Sequence, residues 1–142
     1  DQTEGQGLGV GRSVVSLRRI RLVSLADVLA DVAAGEGADG VAEAYRAYHD
    51  ERPGEESSAG AIALAYRWLS GSRVGQAMAL FGLNAERFDD DPNAVFHLGE
   101  AFRYTGRPEE AMERYRRVLE LDPDHANAAA RLAELSGDGG DA

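Results

Sequence analysis

The sequence predicts an all-α fold, a row of antiparallel helix hairpins, and three observations carry that prediction. Apolar residues recur at helical spacing through residues 24–136. The pattern then copies itself: Leu64, Ala65, Trp68, Ala77 and Phe81 return 34 residues later as Leu98, Gly99, Phe102, Ala111 and Tyr115. Glycine and proline stand where one helix must stop and the next begin, as at Gly106 and Pro108.

Taken in order, residues 1–12, "DQTEGQGLGVGR", read as a disordered linker. Residues 13–23, "SVVSLRRIRLV", are β-branched with Val14, Ile20 and Leu22 on one alternation, which suggests an extended segment or strand. Ser24 and Asp27 form the signature of a capping box opening the first helix. Helices are predicted at 24–34, 38–51, 58–70, 73–87, 92–105, 108–120 and 124–136. The repeats cover about 24–57, 58–91 and 92–125, followed by a capping helix over 124–136 whose Leu132 and Ala133 answer Leu98 and Gly99. In the first copy Leu29 takes a small-residue place, and looser packing is expected there. Gly82 stands in mid-helix, at a cost of roughly 1 kcal/mol against alanine. Glu110–Arg114, Glu113–Arg117 and Arg116–Glu120 are i,i+4 pairs on a solvated face. Residues 137–142 read as a disordered tail.

The net charge of −10 repels phosphates, so nucleic acid is not an expected partner. All fifteen basic residues are arginine. Residues 1–23 hold four of them against two acids, a local +2, leaving eleven against 23 acids and −12 in the remainder. No apolar run approaches membrane-spanning length, so membrane insertion is not expected either. No signal-peptide pattern is visible, and a chain opening at Asp1 can be a fragment of a longer protein. With no cysteine there is neither a disulfide nor a thiolate site.

The motifs that carry chemistry are missing. "GQGLGVG" lacks the strand and helix of a dinucleotide site and the Gly-Lys-Ser/Thr of a phosphate loop. Asp89-Asp90-Asp91 lacks the alternation of a calcium loop, and His49, His97 and His125 share no zinc spacing. No Gly-x-Ser-x-Gly elbow is present. The expectation is a non-enzyme with no catalytic residues, no metal and no cofactor.

The large/Leu/small/aromatic pattern followed by Ala, aromatic and Pro resembles the tetratricopeptide repeat (TPR) family. It is fullest in residues 92–125, with departures at Ser72 and at Phe88-Asp89. The resemblance implies a right-handed superhelix whose first helices line a concave groove for a protein or peptide. Carried onto this chain, the groove takes Asp27 and Ala30 from the first hairpin and Ala59 and Ala63 from the second. Its expected binding residues are Ile62, Tyr66, Asn93, Phe96, His97, Glu100, Arg103, Tyr104, Asn127 and Arg131. Chaperone-tail binders of the family clamp acidic peptides with cations and asparagines. Here Ala26, Ala30, Ala59 and Ala63 occupy clamp places and only Asn127 and Arg131 approach the pattern, so that ligand is not expected.

A second resemblance joins "SLADVL", "AYRAYHDERP", "ALAYRWL" and "AMALFGLNAERFDDDPNAVFHLGEAF" to the helical tail of some bacterial serine hydrolases of the β-lactamase-like and esterase classes. It implies an accessory domain for positioning or dimerisation, without the nucleophile motifs. A homodimer through residues 13–23 is a further expectation. The compartment expected is the cytoplasm, or outside it if the chain ends an exported hydrolase.

Overall fold

The computed structural model describes residues 24–54 and 57–137, and they form six α-helices: α1 (Leu25–Asp50), α2 (Ala59–Leu69), α3 (Val74–Arg87), α4 (Pro92–Tyr104), α5 (Pro108–Leu121) and α6 (Ala126–Ser136). Among the described residues there is no strand. The linker over 1–12, the extended segment over 13–23 with the dimer contact expected from it, and residues 138–142 lie outside the described residues.

Local chemistry sets the helix ends. Ser24 Oγ accepts from the Asp27 amide at 3.2 Å while the Asp27 carboxylate accepts from the Ser24 amide at 3.1 Å, completing the capping box. The two helices predicted over 24–34 and 38–51 are joined into one run, broken at Gly37 alone (φ 72°, ψ −157°). Glycine enters that region without steric cost, so one residue does the work expected of a short loop. Asp91 Oδ1 accepts from the Asn93 amide at 2.9 Å and Pro92 opens α4. Gly106, at φ 80°, turns the chain into Pro108 and α5. His125 Nδ1 caps α6 by accepting from the Ala128 amide at 3.1 Å, and α6 starts two residues later than the sequence pattern placed it.

Each helix packs on its neighbour: α2 and α1 on α3, α3 on α4, α4 on α5, and α5 on α6. Tyr45, Phe81 and Tyr115, at one place in successive repeats, are at most 1% exposed. Leu29 is fully buried and shares a core with Leu25, Val41, Leu64, Trp68 and Phe81. A second core holds Val95, Phe96, Ala111, Tyr115, Val118 and Ala128. Phe102 packs on both, so α4 belongs to each.

The two mid-helix glycines differ. A Cβ on Gly99 would sit 2.8 Å from Tyr115 Cε1 and 3.2 Å from Arg114 Cβ, closer than real contacts allow. Small size at that place lets α4 and α5 nest. A Cβ on Gly82 would meet nothing within 4 Å.

A buried polar tie adds to the apolar packing. Tyr45 Oη donates to Asn84 Oδ1 at 2.7 Å, and Asn84 Nδ2 donates to the Ser58 carbonyl at 3.1 Å. Ser58 Oγ donates onward to Asp91 Oδ2 at 2.6 Å. Helices α1 and α3 and the entrances of α2 and α4 are thereby held in register.

On the outer face, Glu110 is taken bidentately by Arg107 at 2.5–2.6 Å, and Glu120 is taken by Arg117 at 3.2 Å. Both pairs are i,i+3 where the sequence suggested i,i+4. Residues three and four apart are equally near on a helix, so the arginine rotamer decides.

Candidate peptide-binding face

Helices α2, α4 and α6 are the first members of successive hairpins, and a polar seam crosses them. Tyr66 on α2 meets His97 on α4, with Oη 2.7 Å from Nδ1 and the rings edge to face at 5.4 Å. A neutral His97 carrying its proton on Nε2 accepts the Tyr66 hydroxyl proton. Burial pushes the Tyr66 phenol up to about 12, with Glu100 adding to the rise. Burial also lowers His97, favouring the neutral ring that this bond needs.

One turn along α4, Glu100 is the hub of a second cluster. Arg103 donates to it at 3.1 and 3.3 Å, and Arg131 of α6 donates through Nε at 3.1 Å. The Tyr115 hydroxyl donates to the same carboxylate from α5. Glu100 is only 14% exposed. Burial alone would raise its carboxyl; the bonds from Arg103, Tyr115 and Arg131 outweigh that, and the net shift is downward. Burial and the bond to Glu100 push the Tyr115 phenol up.

The expected groove residues divide into three groups. Tyr66, His97, Glu100, Arg103 and Arg131 are brought together in the seam. Asn93, Tyr104 and Asn127 are exposed beside it, Tyr104 by 68%, and Ile62 is half-buried on α2. Phe96 is different: it is 7% exposed, with its ring 4.9 Å from His125 and 5.6 Å from Tyr115. It supports the face from beneath, because one α4 turn must also cover α6. Tyr115 was legible as a core aromatic, but not as a donor to Glu100 fifteen residues before it. The four donors and acceptors come from three helices, and no local spacing encodes that.

Among the described residues, no group of three or more His, Asp or Glu side chains is placed to hold a metal ion. No helix among them is long and apolar enough to cross a membrane.

Residues 92–135, which contain most of this seam, match the family model described as tetratricopeptide repeat. That stretch resembles the family in sequence. The TPR fold extends over the described chain, as solved structures show. MamA, in a single-residue mutant, shares 22% identity at a TM-score of 0.57, over 83% of this chain and 87% of that one. The first TPR of Spaghetti (RPAP3), bound to the HSP90 peptide SRMEEVD, shares 21% at 0.53, over 80% and 89%. A second MamA structure shares 19% at 0.51, over 95% and 78%. No curated protein sequence matches the chain.

The seam should make the stability of the stack depend on pH. Folded values of Glu100 and His97 lie below their ordinary 4.5 and 6.5, so both groups favour the folded state above those values. Stability should fall as pH drops through 6.5, when an unfolded histidine would take a proton that His97 resists, and again below 4.5. Denaturant titrations from pH 8 to pH 3 check this: Glu100→Gln should flatten the lower step and deepen the upper one, because the Glu100 charge partly offsets the lowering of His97 by burial.

Proposed function

We propose that the chain is a non-catalytic interaction module that binds a peptide or protein along the face of α2, α4 and α6. The observation that carries this reading is the seam, which ties three first helices into one pre-formed surface with exposed Asn93, Tyr104 and Asn127 along it. The TPR solved with an HSP90 peptide supports the class of ligand. Preorganisation lowers the ordering cost of binding.

The ligand chemistry follows from the two ends. Ala59, Ala63 and half-buried Ile62 offer an apolar upstream half, while Asn93, His97 and Asn127 offer hydrogen bonds downstream. An extended peptide with small apolar residues at one end and amide-bonding groups at the other fits this face. Arg103 and Arg131 are already engaged by Glu100, so a purely acidic tail finds no unopposed cation pair there.

Affinity capture followed by calorimetry on the identified partner tests the reading. Asn93→Ala, Tyr104→Ala and Asn127→Ala together should abolish binding while leaving the melting temperature within about 2 °C, since exposed sites away from core features have small stability effects. Retention of full affinity by the triple variant would refute the assignment.

A further inference from the structure

The chain has a second concavity, on the side of the stack away from the seam. Between α3 and α5 runs a cleft of about 540 Å³, a size typical of ligand sites. Val95, Leu98 and Phe102 of α4 form its floor, and Met78 and Ala79 of α3 one wall. Three arginines, Arg107, Arg114 and Arg117, stand on the α5 side.

Two features of this cleft are unexplained by the chain's own packing. Arg114 has a side chain that is 41% exposed and no close acid: its nearest carboxylate contact is Nη2 to Glu113 at 4.0 Å, and its covered Nε has no hydrogen-bond partner. A guanidinium without a close carboxylate can take a charge-assisted bond from an incoming one. The second feature is Gly82, which faces the cleft from mid-helix although its missing Cβ relieves no contact within 4 Å. Gly99 is needed by Tyr115, but nothing in the described chain needs Gly82. A glycine there lets another main chain lie close against α3.

We propose that this cleft docks an acidic peptide segment carrying one large apolar side chain. The apolar anchor would sit on Leu98 and Phe102, and a neighbouring carboxylate would accept from the Nη nitrogens of Arg114. Arg107, stacked 4.7 Å over the Phe102 ring, would hold a second carboxylate. Glu110 takes its Nε and Nη2, which leaves Nη1 to donate to that carboxylate. Glu86 and Asp89 line the cleft too, and Arg117 reaches the Asp89 carbonyl at 3.3 Å. Those two acids direct the peptide's charge toward Arg107 and Arg114. The open space at Gly82 leaves room for a main chain against α3, which fits a polypeptide.

The probe is a fluorescein-labelled hexapeptide of alternating glutamate and leucine, titrated against the full 142-residue chain by anisotropy, with a lysine–leucine peptide as control. The acidic peptide should bind saturably and the lysine peptide should not. Arg114→Gln should weaken binding by about tenfold or more, as loss of a charge-assisted bond does. Gly82→Leu should abolish it with the helical circular dichroism intact, while the triple variant at Asn93, Tyr104 and Asn127 should bind as the parent does. That last arm separates this site from the seam. Failure of the acidic peptide to bind, equal binding of the lysine peptide, or unchanged affinity in folded Gly82→Leu would each overturn the proposal. So would light scattering that shows a dimer abolished by Gly82→Leu, because the occupant would then be a second copy.

Discussion

Tyr115→Ala should destabilise the chain by about 3–5 kcal/mol, the range for emptying a large aromatic site in a packed core. Tyr115 is fully buried, lies against the bare Cα of Gly99 and tilts on Phe96 at 5.6 Å. Truncation opens a cavity between α4 and α5 and also takes a donor from Glu100. Tyr115→Phe isolates the second loss: it keeps the ring and removes the hydroxyl, and should cost about 1–3 kcal/mol, in the range for hydrogen bonds to charged groups. Urea titrations of the two variants check the ordering. Equal losses would mean that the ring contributes nothing beyond its hydroxyl.

Asn84→Leu should cost about 1–3 kcal/mol despite being more apolar, because it removes two buried hydrogen bonds between helices and gives no polar group in exchange. The Tyr45 hydroxyl donates to the Asn84 amide oxygen, and the Ser58 carbonyl accepts from the Asn84 amide as well as from the Ile62 backbone amide at 3.2 Å. Asn84 is 1% exposed, so water does not replace it in the folded state. A double-mutant cycle with Tyr45→Phe gives the decisive number: Tyr45→Phe in the Asn84→Leu background should cost less than it does in the parent, since the bond between the two side chains is by then already lost. Strict additivity would show that the two side chains are energetically independent.

The helices were legible wherever period and punctuation agreed. Asp91, Pro92, Gly106 and Pro108 mark the ends of α4 and α5 by chemistry that acts over four residues or fewer. The nesting of Gly99 on Tyr115 was legible through its recurrence at Ala65 and Phe81 one repeat earlier. Partners fixed by tertiary geometry were not legible. Asn84 sits in a helix whose sequence gives no sign that its amide joins α1 to the entrance of α2, 39 and 26 residues away. Glu100 looked like an exposed groove acid, and only the approach of α6 gives it Arg131. Phe96 looked like a groove aromatic because α4 must cover two neighbours, and periodicity does not say which of its faces stays open.

The claim beneath all of this is that α4 and α5 nest through a missing side chain, and one comparison tests it. Alanine has a higher helix propensity than glycine by about 1 kcal/mol in mid-helix, wherever the glycine stands. Gly82→Ala meets open space and should raise the urea midpoint, whereas Gly99→Ala drives a methyl group against Tyr115 and should lower it. Opposite signs at the two glycines are the expected result. A rise at both positions would contradict the close contact of α4 with α5 and the repeat stacking built on it.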